Sequence, residues 1–264
     1  MKRTYEISDL QPYINWTYYY HAWQLRAPEQ QRQSRAEAEQ MLAQLNGRYR
    51  VYALFQLYDA HSEGDDIVVQ MGDSTGRIPL LRQQMADSDC LCLADFVHPQ
   101  HDKIGLFATT VDHGLETDFD HDMYQKMMVQ LLADRLAEAA AERLHEDVRR
   151  VEWGYAPDER LTIDDLHAER FQGIRPAVGY PSLPDTSLNF VLDRLLPFRQ
   201  IGIRLTEHGA MKPHASVSGM MIALPAARYF SVGKIGADQL HDYARRRGLP
   251  VEVLRKFLTA ILSE

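Results

Sequence analysis

The chain has 264 residues, of which 45% are hydrophobic, and a formal net charge of −8 at pH 7. Such a chain can bury a sizeable core as one large domain or two small ones, and its acidic balance argues against a general nucleic-acid-binding protein. No apolar run reaches the roughly 18 residues that a membrane span needs, and the start, MKRTYEISDL, lacks the apolar segment of a secretory signal. We therefore expect a cytoplasmic protein with neither a membrane nor a nucleic-acid partner.

The N-terminal part predicts a helix followed by a β-hairpin. An aromatic-rich stretch, YINWTYYYHAW, precedes a charged helix from about Glu29 to Leu45, which ends at Asn46 and Gly47. Two β-prone runs, RYRVYALFQL and DDIVVQM, then flank the short polar piece YDAHSEG. Two strands joined by so short a polar segment form a hairpin.

Within this hairpin, Asp59-x-His61-x-x-Gly64 has the spacing of a loop that binds cobalamin through a histidine. In such a loop the imidazole binds the metal and the carboxylate holds the other ring nitrogen. That loop follows a parallel strand and leads into a helix of a doubly wound sheet, whereas here the chain continues into another strand. We interpret His61 as an exposed turn residue.

Two further strands are predicted at CLCLADFV and DKIGLFATTV, followed by the longest helix, from about Asp120 to Arg150. Apolar residues recur at every fourth position of this helix and define a buried stripe: Met128, Leu132, Leu136, Ala140 and Leu144. Glu138 lies about 200° around the helix from Leu136, at about 100° per residue. It should therefore face either solvent or a ligand groove.

The two cysteines, Cys90 and Cys92, fall in the first of these predicted strands. Their spacing would strain a bridge between them, and no nearby histidine pair completes a zinc site. We interpret them as reduced packing residues. The acidic run VDHGLETDFDHD is interpreted as a loop that precedes a helix and not as a metal site.

In the C-terminal half, TIDDLHAER predicts a short helix with the capping pattern Thr162-x-x-Asp165. A proline- and glycine-marked loop, GIRPAVGYPSLPD, follows. Beyond it we expect a helix near SLNFVLDRLL, strands at IGIRL, SVSGMMIAL and RYFSVG, and two helices separated by Gly248 and Pro250. This mixture of hairpins and segregated helices predicts an α+β fold with a mainly antiparallel sheet.

The loop from Gly173 to Asp185 is the best candidate for a binding segment. Its prolines fix the path of the chain, and its glycines permit close approach to a ligand. Arg175 can bind a carboxylate through two parallel hydrogen bonds. The alternative is a structural arginine paired with a nearby aspartate or glutamate.

Seven collinear segments together resemble the C-terminal reactivation domain of cobalamin-dependent methionine synthase: LADFV, LADRLAEA, WGYAP, GIRPAVGYP, ASVSG, RYFSVGKIG and DQLHDYARRRG. The resemblance runs from about Ile14 to Phe257, and it implies one domain over residues 1–264. It also implies a C-shaped α+β fold with a twisted, mainly antiparallel sheet that binds S-adenosylmethionine. That domain supports one-electron reduction of cob(II)alamin, by flavodoxin or a flavoprotein reductase, and methyl transfer from S-adenosylmethionine.

The resemblance implies a set of ligand-binding residues: Asn15, Glu138, Glu169, Arg175, Ala177, Tyr180, Tyr229 and Phe230. In it, Arg175 binds the carboxylate of S-adenosylmethionine, and Ala177 and Tyr180 line the site. Tyr229 and Phe230 offer backbone groups and ring surface. Glu138 and Glu169 stand beside the cationic groups of the ligand. No catalytic side chain or metal ligand is implied, because the methyl group is already activated.

Three positions depart from the family pattern. Asn15 replaces an aspartate that contacts S-adenosylmethionine, which predicts weaker binding than in the usual domain. Thr186 and Leu224 stand where the family has histidines, and they affect contacts with the cobalamin module or the ligand. Retention of the other site residues favours the catalytic interpretation over a non-catalytic docking module for a corrinoid protein.

The match begins only a few residues after Met1. We therefore expect a separate reactivation subunit, incomplete as an enzyme by itself, that acts on a partner methionine synthase chain holding the cobalamin. A free-standing methyltransferase for a small acceptor has little support, because no acceptor-activating base is evident.

Overall fold

The structure is a computed structural model that describes residues 1–85 and 89–263. Its strands are β1 (Lys2–Tyr5), β2 (Val51–Glu63), β3 (Asp66–Met71), β4 (Ser74–Pro79), β5 (Asp102–Val111), β6 (Arg204–Leu205), β7 (Met211–Lys212) and β8 (Ser216–Met221). Its α-helices are α1 (Ile7–Leu10), α2 (Trp16–Ala22), α3 (Pro28–Leu45), α4 (Gly114–Thr117), α5 (Met123–Asp147), α6 (Ile163–His167), α7 (Leu188–Leu195), α8 (Ala237–Arg247) and α9 (Val251–Leu258). A π-helical turn, Val148–Glu152, continues α5.

The main sheet has the strand order β4-β3-β2-β5-β8, and β1 also pairs with β2. All of these pairings are antiparallel. On one edge β2 pairs with β1 near its start and with β3 near its end, while β5 runs along its other edge from Val51↔Val111 to Ala60↔Asp102. The predicted α+β fold with an antiparallel sheet and flanking helices is therefore confirmed.

Both faces of the sheet are buried, each in its own core cluster. On β5, for example, Phe107 and Val111 belong to the cluster that includes α3 and α5, whereas Leu106 and Ala108 belong to the cluster that includes α7. Because successive strand residues point to opposite faces, a strand covered on both sides is apolar throughout. This explains the continuous apolar run at residues 104–108 of β5, whose strand bounds were predicted.

The predicted hairpin is confirmed, but its turn is tighter than expected. Strand β2 continues to Glu63, and the chain turns at Gly64, which has a φ of +59°, and Asp65. The interpretation of His61 as a turn residue is therefore wrong: it is half-buried on β2, opposite Val68. Its Nε2 lies 3.1 Å from Oε1 of Glu63.

Two predicted strands are wrong. In CLCLADFV, residues Leu93–Phe96 form a 3-10 turn because the Asp95 carboxylate accepts from the Cys92 backbone N–H at 2.8 Å. Cys92 is buried, as the packing interpretation requires, whereas Cys90 is exposed, so the two do not share a strand face. RYFSVG forms no strand with any part of the chain that the structure describes, and its Val232 N–H donates to the Pro181 carbonyl at 2.9 Å.

Helix α5 confirms the predicted long helix and its stripe. Met128, Leu132, Leu136, Ala140 and Leu144 are all buried in one core cluster. At about 1.5 Å per residue the 25 residues of this helix extend about 38 Å. The short helix α6 also begins as predicted, with Thr162 at its N-cap and the Asp165 side chain bonded back to the Thr162 backbone.

Buried polar contacts at the end of α5 hold the segment that leads to α6. The Arg149 guanidinium binds both carboxylate oxygens of Glu159 and lies 4.4 Å from the centre of the Phe171 ring. The His145 ring packs edge-on against Phe171, and its Nε2 lies 3.3 Å from the Tyr155 hydroxyl. Burial, together with the charges of Arg149 and Arg175, lowers the pKa of His145 well below its usual value.

The buried histidine predicts a specific sensitivity to acid. The unfolded chain takes up a proton at His145 near pH 6.5, and the native protein does not, so acid favours unfolding. Between pH 7.5 and 5.5 this group lowers the free energy of unfolding by about 1.4 kcal/mol. We expect urea unfolding at both pH values to show a smaller loss of unfolding free energy in His145→Gln than in the wild type, by this amount. The exposed His208→Gln variant should keep the full loss, and equal losses in all three proteins would contradict the assignment.

Candidate functional site

The predicted binding loop is held along the free edge of β8. The backbones of Ile174 and Ile222 exchange hydrogen bonds of 2.9 and 3.0 Å. Farther along, the Met220 N–H donates to the Pro176 carbonyl at 3.0 Å, and the Val178 N–H donates to the Ser218 carbonyl at 2.9 Å. Residues 174–178 thus extend the sheet by one short segment.

A glycine on β8 allows this close approach. A Cβ atom at Gly219 would lie 2.2 Å from the Pro176 carbonyl oxygen and 2.9 Å from the Cα of Ala177. Both of these are backbone atoms that cannot rotate away. Only a residue without a side chain therefore fits between the loop and the Phe107 ring beneath it.

The far end of the loop is anchored by a buried polar cluster. The Asp185 carboxylate accepts hydrogen bonds from the Tyr243 hydroxyl at 2.7 Å and from the Ser187 backbone N–H at 2.8 Å. It also pairs with the buried guanidinium of Arg247. Two of these partners lie on α8, so that helix fixes the exit of the loop.

Between the loop, α5 and the N-terminal segment lies a cavity of about 540 Å³. It is lined by all of the residues that the resemblance implies: Asn15, Glu138, Glu169, Arg175, Ala177, Tyr180, Tyr229 and Phe230. The structure brings together side chains from five separate parts of the chain. Further lining residues include Tyr13, Tyr18, Arg135, Glu142 and His167.

Arg175 is largely buried at the cavity wall, with only 11% of its side-chain surface exposed. Its Nη2 donates to Oε2 of Glu142 at 2.8 Å, and its guanidinium lies 5.7 Å from the centre of the Phe107 ring. Its backbone N–H donates to the Tyr229 hydroxyl at 2.9 Å. The arginine is therefore ion-paired, as one of the two sequence interpretations proposed, while it also lines the cavity.

The rim of the cavity is organised around Tyr180 and Glu138. The Tyr180 hydroxyl donates to Oε1 of Glu138 at 2.6 Å. Burial of part of the ring and the negative charge of Glu138 raise the pKa of Tyr180, so the phenol keeps its proton at neutral pH. Glu138 leaves the buried stripe of α5, as predicted, and faces this cavity.

Asn15 lies where α2 begins. Its Oδ1 accepts a hydrogen bond from the Thr17 backbone N–H at 3.1 Å, so the side chain caps the helix. Phe230, also in the lining, packs its ring edge-on against Phe96, with the ring centres 6.3 Å apart. These contacts hold both residues at the cavity wall.

Glu169 has an unusual backbone conformation at the end of α6. Its φ is +55°, and its N–H donates to the Leu166 carbonyl at 3.0 Å. Glycine or asparagine usually occupies this left-handed position after a helix, because a Cβ atom there costs roughly 1 kcal/mol. A glutamate that keeps this strain at a cavity is typical of a functional residue.

Sequence reasoning missed the two charged residues Arg135 and Glu142. Glu142 lies four residues after Glu138 on α5, and Arg135 lies three before it, so all three share one side of the helix. Extending the helical period from Glu138 would have found both. With them the cavity holds three carboxylates, from Glu138, Glu142 and Glu169, and two guanidiniums.

Within the described residues, no cluster of three or more histidine, cysteine, aspartate or glutamate side chains has metal-binding geometry. Across residues 1–85 and 89–263, no helix combines the length and apolarity that a membrane crossing requires.

The structure is an α+β domain whose cavity has the size of a small-molecule site and is lined by charges of both signs. The chain belongs to the family described as "Vitamin B12 dependent methionine synthase, activation domain", which matches residues 6–248. Among solved structures, it is similar to the crystal structure of the MetH reactivation domain bound to AdoHcy. The two share 37% sequence identity with a TM-score of 0.93, over 100% of this chain and 90% of that one. The resemblance seen in the sequence is therefore confirmed.

The strain at Glu169 predicts a stabilising substitution. Glu169→Gly removes the Cβ atom at a positive φ and should raise the free energy of unfolding by roughly 1 kcal/mol, measured by urea unfolding. The matched control is Gln24→Gly, which has the same φ of +55° after α2 and does not line the cavity. A gain in the control without a gain at Glu169 would mean that the Glu169 side chain itself stabilises the fold.

Proposed function

We propose that the cavity binds S-adenosylmethionine and that the domain supports reductive remethylation of the cobalamin held by a methionine synthase chain. The observation that carries the proposal is that all eight residues chosen by resemblance line one cavity of about 540 Å³. This volume is typical of small-molecule sites. AdoHcy, present in the similar structure, is what S-adenosylmethionine becomes after it loses its methyl group.

The charges of the cavity suit each part of this ligand. The planar guanidinium of Arg175 binds the carboxylate, and the carboxylates of Glu138 and Glu169 attract the ammonium and sulfonium groups. The rings of Tyr180 and Phe230 offer apolar faces to the adenine. Tyr229, bonded to the backbone of Arg175, holds the loop in register while the ligand binds.

The chain's own residues bind and orient the ligand, and none of them has to act as a nucleophile or base. The methyl group on a sulfonium is already activated, so the task of the site is to position it. The methyl acceptor would be the corrinoid of the partner chain, after reduction by one electron that flavodoxin or a flavoprotein reductase would supply. His61 lies on β2 and does not line the cavity, so it takes no part in this reaction.

A second candidate is a docking module that binds a corrinoid protein without supporting methyl transfer. It is favoured by the three departures from the family pattern. Thr186 and Leu224 are exposed and lie outside the cavity lining, so these two substitutions alter the outer surface of the domain and not the cavity. Asn15 alone alters the cavity, and it removes a charge without removing a hydrogen-bond acceptor.

Calorimetric titration with S-adenosylmethionine tests the proposed function. The wild-type chain should bind saturably, and Arg175→Ala should bind about tenfold or more weakly because a charged hydrogen bond contributes about 1.5–3 kcal/mol. Arg175→Lys keeps the charge that balances Glu142 and loses the planar fork, so it controls for an unpaired buried carboxylate. Arg32→Ala, which removes an exposed arginine of α3, should bind like the wild type. Wild-type protein that binds nothing up to millimolar ligand would reject the proposal.

The departure at position 15 predicts that Asn15→Asp binds S-adenosylmethionine more tightly than the wild type. Aspartate keeps the cap on α2 and adds a negative charge at the cavity wall, where the ligand is cationic. Asn46→Asp adds the same charge at the end of α3 and should leave the dissociation constant unchanged. An Asn15→Asp variant that binds no tighter would refute this role.

A further inference from the structure

Glu142 is a charged residue of the cavity that the family resemblance leaves unassigned. It projects from α5 one turn beyond Glu138, and its side chain is only 14% exposed. One carboxylate oxygen accepts from Arg175 at 2.8 Å, while the other is buried without a hydrogen-bond partner. The Nε of Arg175 is likewise buried without a partner.

An Arg175–Glu142 pair joined by one hydrogen bond is not the arrangement that would best stabilise the fold. An arginine and a carboxylate optimised for each other form two parallel hydrogen bonds, whereas here each side chain keeps a buried polar atom unsatisfied. Such an atom costs about 1–3 kcal/mol. A pair that keeps this cost inside a ligand cavity is better explained by binding than by stability.

Glu142 sets the formal charge of the cavity. Without it, two carboxylates would face the two guanidiniums of Arg135 and Arg175, and the cavity would be neutral. With it, the cavity has a net negative charge. Arg175 can still donate hydrogen bonds to a ligand carboxylate. A ligand with net positive charge, however, gains a Coulombic advantage from the negative cavity.

On the basis of the proposed function, we infer that Glu142 is a specificity-determining residue that selects the sulfonium ligand over its thioether product. S-adenosylmethionine and S-adenosylhomocysteine share the carboxylate, the ammonium and the nucleoside. They differ by one methyl group and the positive charge that it places on sulfur. A carboxylate held in the cavity by Arg175 therefore favours the substrate and promotes release of the product.

The test is calorimetric titration of both ligands into the wild-type chain and Glu142→Gln. The amide keeps an oxygen that can accept from Arg175 Nη2, so the arginine stays in place while the charge is lost. The ratio of the two dissociation constants, product over substrate, should fall about fivefold, as expected for one charge at intermediate distance in a partly screened site. A purely structural role would weaken both ligands together and leave the ratio unchanged.

Two controls make the result decisive. Glu142→Asp keeps the charge on a shorter side chain and should preserve the ratio even if both affinities change. Glu29→Gln removes an exposed carboxylate of α3 that is also paired with an arginine, and it should change neither affinity. If the wild type binds both ligands and Glu142→Gln keeps the wild-type ratio, the inference fails while the proposed function stands. If the wild type binds neither ligand, both fail.

Discussion

The site depends on the pairing of residues 174–178 with the edge of β8. That pairing places the Arg175 side chain over the sheet, against the Phe107 ring and toward α5. It is possible only because Gly219 leaves room for the backbone of Pro176 and Ala177. The Asp185 cluster then fixes the other end of the loop through α8. The loop therefore belongs to the sheet scaffold, and ligand binding does not have to order it.

Helix α5 forms the cavity wall that faces the Arg175 loop. One side of the helix packs in the core, and another lines the cavity. Its apolar stripe packs on the sheet in the larger core cluster, while Glu138 and Glu142 leave that stripe and line the cavity. Because both sides belong to one rigid helix, packing of the core sets the distance between these carboxylates and Arg175. Functional groups on such elements are held more accurately than groups on free loops.

Elements with a strong period or clear end signals could be predicted from the sequence: α3, α5, α6 with its capping box, β5, and the pair α8 and α9. CLCLADFV was mistaken for a strand because its apolar residues are buried by a 3-10 turn, which Asp95 caps through a local hydrogen bond. RYFSVG has strand composition but forms no β-ladder within residues 1–85 and 89–263, because ladder formation depends on tertiary structure as well as on local sequence. β4, with the sequence STGRIP, has too few β-prone residues for local propensity to reveal it.

The site was predictable only in part, for a related reason. The prolines and glycines around Arg175 indicate a binding loop in the sequence. The other site residues were predicted from the family resemblance. Glu142 carries no motif, and its importance follows from an ion pair between residues 33 positions apart. Local rules are broken at this site: Glu169 has a positive φ, and Arg175 and Glu142 leave buried atoms unpaired. Because a sequence selected for stability alone would avoid these costs, their presence on three residues that line one cavity supports ligand binding there.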